Sequence, residues 1–195
     1  MSESQPAPGD TFDAYTVNPV FRWVAGPGAI LTDLSAGFPD RRISDRETLH
    51  YTSEPLTSKV EVGGAPETHL WVSSTAGDGA FFACLEDVGG DGAVQYVTSG
   101  CLRAIDRRLT PGGGHSYRRA DAMPLIPGEP AELVIKLAPT SYQFSVGHRI
   151  RITFYGSDTA MFAALPGAAP QWRVFRGGSR ASTLVLPVVT RSMLR

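Results

Sequence analysis

Lysine is nearly missing from this chain. Lys59 and Lys136 are the only two, and arginine carries the rest of the positive charge, the bias of a G+C-rich bacterial genome. With 18 basic against 19 acidic residues the formal net charge is −1, so no nucleic-acid partner is expected. Long apolar runs are missing too. No stretch approaches the ~20 residues that span a bilayer, so no membrane partner is expected. The polar, Pro-rich opening MSESQPAPGD has no apolar h-region, so it does not read as a signal peptide. Cysteine is reduced to Cys84 and Cys101. A hairpin turn at 89–92 brings Cys84 nearer Thr98 than Cys101, and two reduced thiols in a cytoplasmic protein are expected rather than a disulfide.

Catalytic spacing is equally scarce. No G-x-S-x-G occurs, so no serine sits on the strained turn that exposes an activated hydroxyl, and the chain alone is expected to lack serine-hydrolase activity. His50, His69, His115 and His148 form no H-x-x-x-H or Cys/His cluster, so no metal and no cofactor are expected. The Gly-Asp-Gly sequences at 77–79 and 90–92 precede no helix and are not phosphate cradles; the second reads as a hairpin turn.

What the chain does have is turns and alternation. It holds 21 Gly and 15 Pro, and between the turns short segments alternate with a period of two. Ile150, Ile152 and Phe154 oppose Arg151, Thr153 and Tyr155, and Leu133, Ile135 and Leu137 oppose Glu132, Val134 and Lys136. Between these two strands, 138–147 reads as a connection in which Pro139 fixes φ and Gly147 permits a positive one. Further strands are expected at 49–52, 60–63, 68–74, 81–88, 94–103 and 182–189. Eight strands with turns between them predict an all-β, two-sheet jelly-roll β-sandwich over 43–195. An irregular N-terminal arm, 1–42, precedes it. Within the arm, residues 11–42 show little periodicity but carry AGPG and GFPD turn signals and apolar groups that include Phe12, Tyr15, Phe21, Trp23, Ile30 and Leu31. Trp23 reads as the anchor of that arm. Met1 followed by such an arm reads as the start of a complete small protein. Two long irregular stretches, 109–130 and 157–180, interrupt the strands, the first expected to be a mobile surface loop.

Several motifs carry a family resemblance. "PGEPAELVIKLAPTSYQFSVGHRIRI", "LHYTSEPLTSKVEVGGAPETHLWVSSTAGDGAFFACLEDVGGDGAVQYVTSGCLRA" and "STLVLPVV" follow in order. Together they resemble the C-terminal β-sandwich of the X-Pro dipeptidyl-peptidase and cocaine-esterase-like (CocE/NonD) hydrolases. The resemblance covers 49–189, with a weaker match at 13–19, and implies a galactose-binding-like jelly roll. In that family a separate α/β-hydrolase domain carries the chemistry. The resemblance also makes His148, in GHRI, a structural turn residue. Two departures stand out. Only Asp78 remains where the family has two carboxylates, and after Tyr155 a polar, Asn-rich segment is replaced by the apolar GSDTAMFAALPG.

Face parity supplies the candidate site. If Leu70, Val72, Phe81, Ala83, Leu85, Leu102, Ala104, Ile150, Ile152 and Phe154 fill the core, then His69, Trp71, Phe82, Cys84, Cys101, Arg103, Arg151 and Tyr155 point outward. Large apolar groups seldom stay bare on a monomer. The arm, a second copy of the chain or a bound apolar ligand could cover Trp71, Phe82 and Cys84. These three, with Arg103, His115, Tyr155 and Asp158, are the candidate ligand or partner face. Two functions compete. One is a free-standing accessory domain that docks an α/β-hydrolase partner chain, forms a homodimer, or binds a small apolar ligand. The other is an enzyme of a bacterial secondary-metabolite pathway that guides a cyclisation, rearrangement or hydrolysis in a pocket on the sandwich.

Overall fold

The computed structural model describes residues 11–23, 39–163, 165 and 169–190. The AGPG turn and the apolar pair Ile30 and Leu31 lie outside these. Eleven strands form among the described residues: β1 Phe12–Thr16, β2 Leu49–Thr52, β3 Val60–Gly64, β4 Glu67–Ser74, β5 Ala80–Val88, β6 Val94–Arg103, β7 Ala131–Lys136, β8 Thr140–Phe144, β9 Arg149–Tyr155, β10 Gln171–Phe175 and β11 Thr183–Val185. All pairings are antiparallel. One sheet runs β1-β10-β4, with β7 along one edge of β4 and β10 and β11 in succession along the other. The second runs β2-β9-β5-β6, and β3 and β8 make a two-stranded ribbon. The fold is an all-β sandwich.

The core is the parity set. Leu70, Val72, Leu133, Ile135, Trp172 and Val174 of the first sheet meet Phe81, Ala83, Leu85, Leu102, Ile152 and Phe154 of the second, all buried. Trp172 stacks on Phe81 across the sheets at 4.2 Å and 16°.

Three strands were not legible in the pattern. Residues 140–144 follow Pro139 and read as a connection, yet they pair with β3 as β8. In β10, buried Trp172 and Val174 alternate with exposed Gln171 and Arg173, a clear strand hidden in the stretch expected to be irregular. The arm opens as β1, an edge strand held only by β10. The closing strand is shorter than expected, because Pro187 offers no N–H to a ladder.

Register accounts for the thiols. A bulge between Leu85 and Glu86 shifts the β5–β6 pairing by one, so Cys84 faces Ser99 and Leu85 faces Thr98. Cys101 faces Phe82, and both cysteines are free. At the other end of β9, Gly147 (φ +80°) makes the expected turn. His148 then binds Asp87 through Nδ1 at 2.9 Å, and the Tyr142 hydroxyl donates to the same carboxylate at 2.9 Å. Asp87 of β5 thus holds both the GHRI turn and, through Tyr142 of β8, the β3–β8 ribbon against the second sheet.

Candidate functional site

Four of the seven candidate residues come together. Phe82 and Cys84 on β5 and Tyr155 on β9 share the outer face of the second sheet, and Asp158 follows just beyond β9. The arm covers them. Trp23 stacks on Tyr155 at 4.5 Å and 5°, and Tyr155 stacks on Phe82 at 4.9 Å and 4°. On the far side of Trp23 the Arg41 guanidinium lies 3.6 Å from the ring centroid. Guanidinium and three rings form one continuous pile, which desolvation strengthens. Asp158 ties down the backbone: its Oδ1 accepts from Trp23 N and Ala160 N, both at 3.2 Å.

Beneath the arm lies a buried polar group. Glu86 continues the outward parity of Phe82 and Cys84, and accepts a 2.6 Å hydrogen bond from the Thr153 hydroxyl. Arg41 sits above, also buried, with its Nη2 donating to the Ser44 hydroxyl. Burial pushes the Glu86 carboxyl up to about 7, against the pull of Thr153, Arg41 and Arg151. Burial, then Glu86, raises the Cys84 thiol well above its ordinary value, so it is a poor nucleophile. Burial likewise holds the Tyr155 hydroxyl protonated. This face is a sealed aromatic and polar seam rather than an open site. Parity alone could have found Glu86 and Thr153; Arg41, in a 3-10 turn at Arg41–Ser44, has no periodic signal.

The raised Glu86 value fixes a pH dependence. The folded state holds this proton more tightly than the unfolded chain. Its stabilising contribution is therefore complete below the ordinary carboxylate range and is lost as pH rises toward about 7. The loss approaches ~3 kcal/mol at ~1.4 kcal/mol per unit. Glu86→Gln keeps an acceptor for Thr153 and should remove that dependence, melting above wild type at pH 8 and level with it near pH 4.5. Parallel melting curves at every pH would refute the assignment.

The other three candidates stand apart. Trp71 lies on the outer face of the opposite sheet, beside Glu132 and half-buried. Alternation tells inward from outward but not which sheet is involved, so Trp71 and Phe82 share no surface. His115, in the stretch expected to be a mobile surface loop, is half-buried, with Nε2 2.8 Å from the Val134 carbonyl of β7. The loop around it is internally bonded, for example Ser116 to Asp121 at 2.7 Å. Arg103, at the end of β6, pairs with Asp78 at 2.7 Å.

Asp78 borders a cleft of about 260 Å³ at this end of the sandwich, lined also by Val17, Pro19, Gly156, Ser157 and Trp172. Glycine is required at 156, because a Cβ there would lie 2.5 Å from Val17 and 2.8 Å from Trp172. Beside the cleft, the apolar segment after Tyr155 binds the arm, with Thr159 N donating to Phe21 O at 3.0 Å. Among the described residues, no group of three His, Cys, Asp or Glu converges as metal ligands, and no helix is long and apolar enough to cross a membrane.

Comparison with known proteins fits this geometry. The family model described as the X-Pro dipeptidyl-peptidase C-terminal non-catalytic domain matches residues 2–174. A putative serine esterase of Mycobacterium tuberculosis is 47% identical over 160 residues, which are 78% of this chain and 26% of that protein. Cocaine esterase of a Rhodococcus species is 32% identical over 167 residues, 77% of this chain and 27% of that protein. This chain thus spans about a quarter of the curated relatives it matches. Among solved structures, an alpha-amino acid ester hydrolase superposes with a TM-score of 0.76 at 22% identity, over 91% of this chain and 32% of that one. An aminopeptidase of a marine-sediment thaumarchaeote gives 0.77 at 22% identity, over 96% and 34%.

Proposed function

Because the chain belongs to the family of X-Pro dipeptidyl-peptidase C-terminal non-catalytic domains, we propose that it docks an α/β-hydrolase module, carried on the same or a separate polypeptide. The docking surface is the end of the sandwich beside the 260 Å³ cleft. One observation carries this reading. Val20, Met161 and Phe162 are 72%, 55% and 47% exposed, on two segments cross-bonded through Thr159 and Asp158. Val20 and Met161 stand mostly in solvent, and Phe162, whose ring leans on Phe82 at 5.2 Å, leaves about half its surface bare. The nearby sheet face is already closed by the arm, so it offers no comparable contact. Aromatic and Met side chains around a recess are the composition of an interface core.

The test is a chimera in which this chain replaces the matched 160 residues of the mycobacterial putative serine esterase. The chimera should hydrolyse aryl esters. The Met161→Asp, Phe162→Asp pair should lower its activity or soluble yield at least tenfold, while leaving the melting temperature of the chain alone within a few degrees. An unaffected chimera would sink the proposal. If sedimentation instead shows the chain alone dimerising, and the pair abolishes the dimer, the surface serves a homodimer.

A further inference from the structure

Away from that surface, the two sheets part along one flank of the sandwich. Between β2 and β9 of one sheet and β11 of the other lies a groove of about 440 Å³. Ile150 and Leu184, both partly exposed, give it an apolar wall over a floor closed by the buried Ile152 and Phe154, and the half-buried Tyr51 ring stands beside Phe154 at 6.3 Å. From Ile150 to Phe154 the strand rise makes this flank of the groove about 13 Å long. A medium-chain acyl tail laid along the strand would cover it.

The groove also has a cationic head. Arg176, at the exit of β10, is half-exposed and lines it. Its Nε is taken by Asp13 at 2.6 Å. The Tyr51 hydroxyl donates to the same Asp13 oxygen at 2.9 Å, so the guanidinium is fixed from behind. Its two terminal amino groups have no partner among the described residues. A planar fork with two free donors suits a carboxylate, which it can bind through both oxygens. The neighbouring hydroxyl of Ser182 is occupied by the Trp71 backbone and does not compete for that head.

We propose that this groove binds an amphiphilic monocarboxylate, its tail against Ile150 and Leu184 over the floor of Ile152 and Phe154 and its carboxylate on Arg176. Apolar walls with one convergent charged group are the make-up of small-molecule sites, and a volume of this order accommodates a small ligand. The site lies on a different face from the proposed docking end and does not depend on it.

Octanoate, below its micellar concentration, is the probe, titrated calorimetrically into the full chain, with 1-octanol as its uncharged counterpart. Octanoate should saturate a single site with a Kd on the order of 0.1–1 mM. Arg176→Gln should weaken octanoate at least tenfold and leave octanol within twofold. Leu184→Trp, which fills the groove without touching the charge, should abolish both. Absence of saturation at 10-fold above that range (~10 mM) overturns the proposal. So does an Arg176→Gln variant that binds octanoate as wild type does. If losing the Asp13 pair unfolds that variant, Leu184→Trp decides: octanoate binding undiminished there overturns the site.

Discussion

Ile152→Asp should abolish the cooperative unfolding transition. Ile152 lies mid-strand on β9, paired with Leu85 on one side and Tyr51 on the other, and is 8% exposed. The substitution forfeits roughly 1.5–3 kcal/mol of apolar burial. It also places a carboxylate among packed apolar side chains, at a cost of several kcal/mol more, or forces it to protonate. A domain of this size is stable by roughly 5–15 kcal/mol, so the sum takes most or all of it. Arg151→Ala is the informative control. By parity it is an outward residue and should be tolerated, but its side chain is only 11% exposed. Its Nη1 meets both Asp45 oxygens at 2.9 and 3.0 Å, and its Nε meets the Thr52 hydroxyl at 2.9 Å. A loss of about 1–3 kcal/mol is expected, the worth of hydrogen bonds to a charged partner. Chemical denaturation of both variants separates the cases; equal midpoints would mean the face assignment is wrong.

That contrast shows what the pattern could and could not tell. Alternation is a local property, so it gave the inward set of β4, β5 and β9 residue by residue, and the same parity leads on to Glu86 and Thr153. What lies over an outward face is a long-range property. Trp23 and Tyr155 are 132 positions apart in sequence, and only the docked chain stacks them. For the same reason Trp71 and Phe82 looked alike in sequence while lying on opposite sheets. Arg41 has no signal at all: an arginine in an irregular stretch is ordinarily solvated, as its neighbour Arg42 is, and the burial of Arg41 over Trp23 is a tertiary event. The missed β10 was a different failure. QWRVF has good strand composition but sits alone among Gly, Ala and Pro, and a five-residue strand between breakers is easily read as loop.

Trp23→Ala should undock the arm. Trp23 lies between Arg41 and Tyr155 in a pile that Phe82 completes, and Tyr155 and Phe82 belong to the sheet. Truncating a buried Trp costs about 3–5 kcal/mol when the site cannot collapse. Here the arm can lift instead, so the loss should fall near the lower end of that range. Lifting would wet Phe82, Cys84 and Tyr155 together and return the Glu86 carboxyl toward its ordinary range, because burial is the main cause of its shift. Three readouts should therefore move as one: a lower unfolding free energy, new binding of an apolar dye, and loss of the pH dependence that Glu86 imposes. Trp71→Ala removes the same side chain from a half-exposed position on the opposite sheet and should cost about 1 kcal/mol, the typical value for a point substitution. Neither the dye nor the pH profile should register it. If Trp23→Ala leaves Cys84 as unreactive toward a thiol reagent as in wild type, the arm is held by something other than this pile, and the sealed seam does not depend on Trp23.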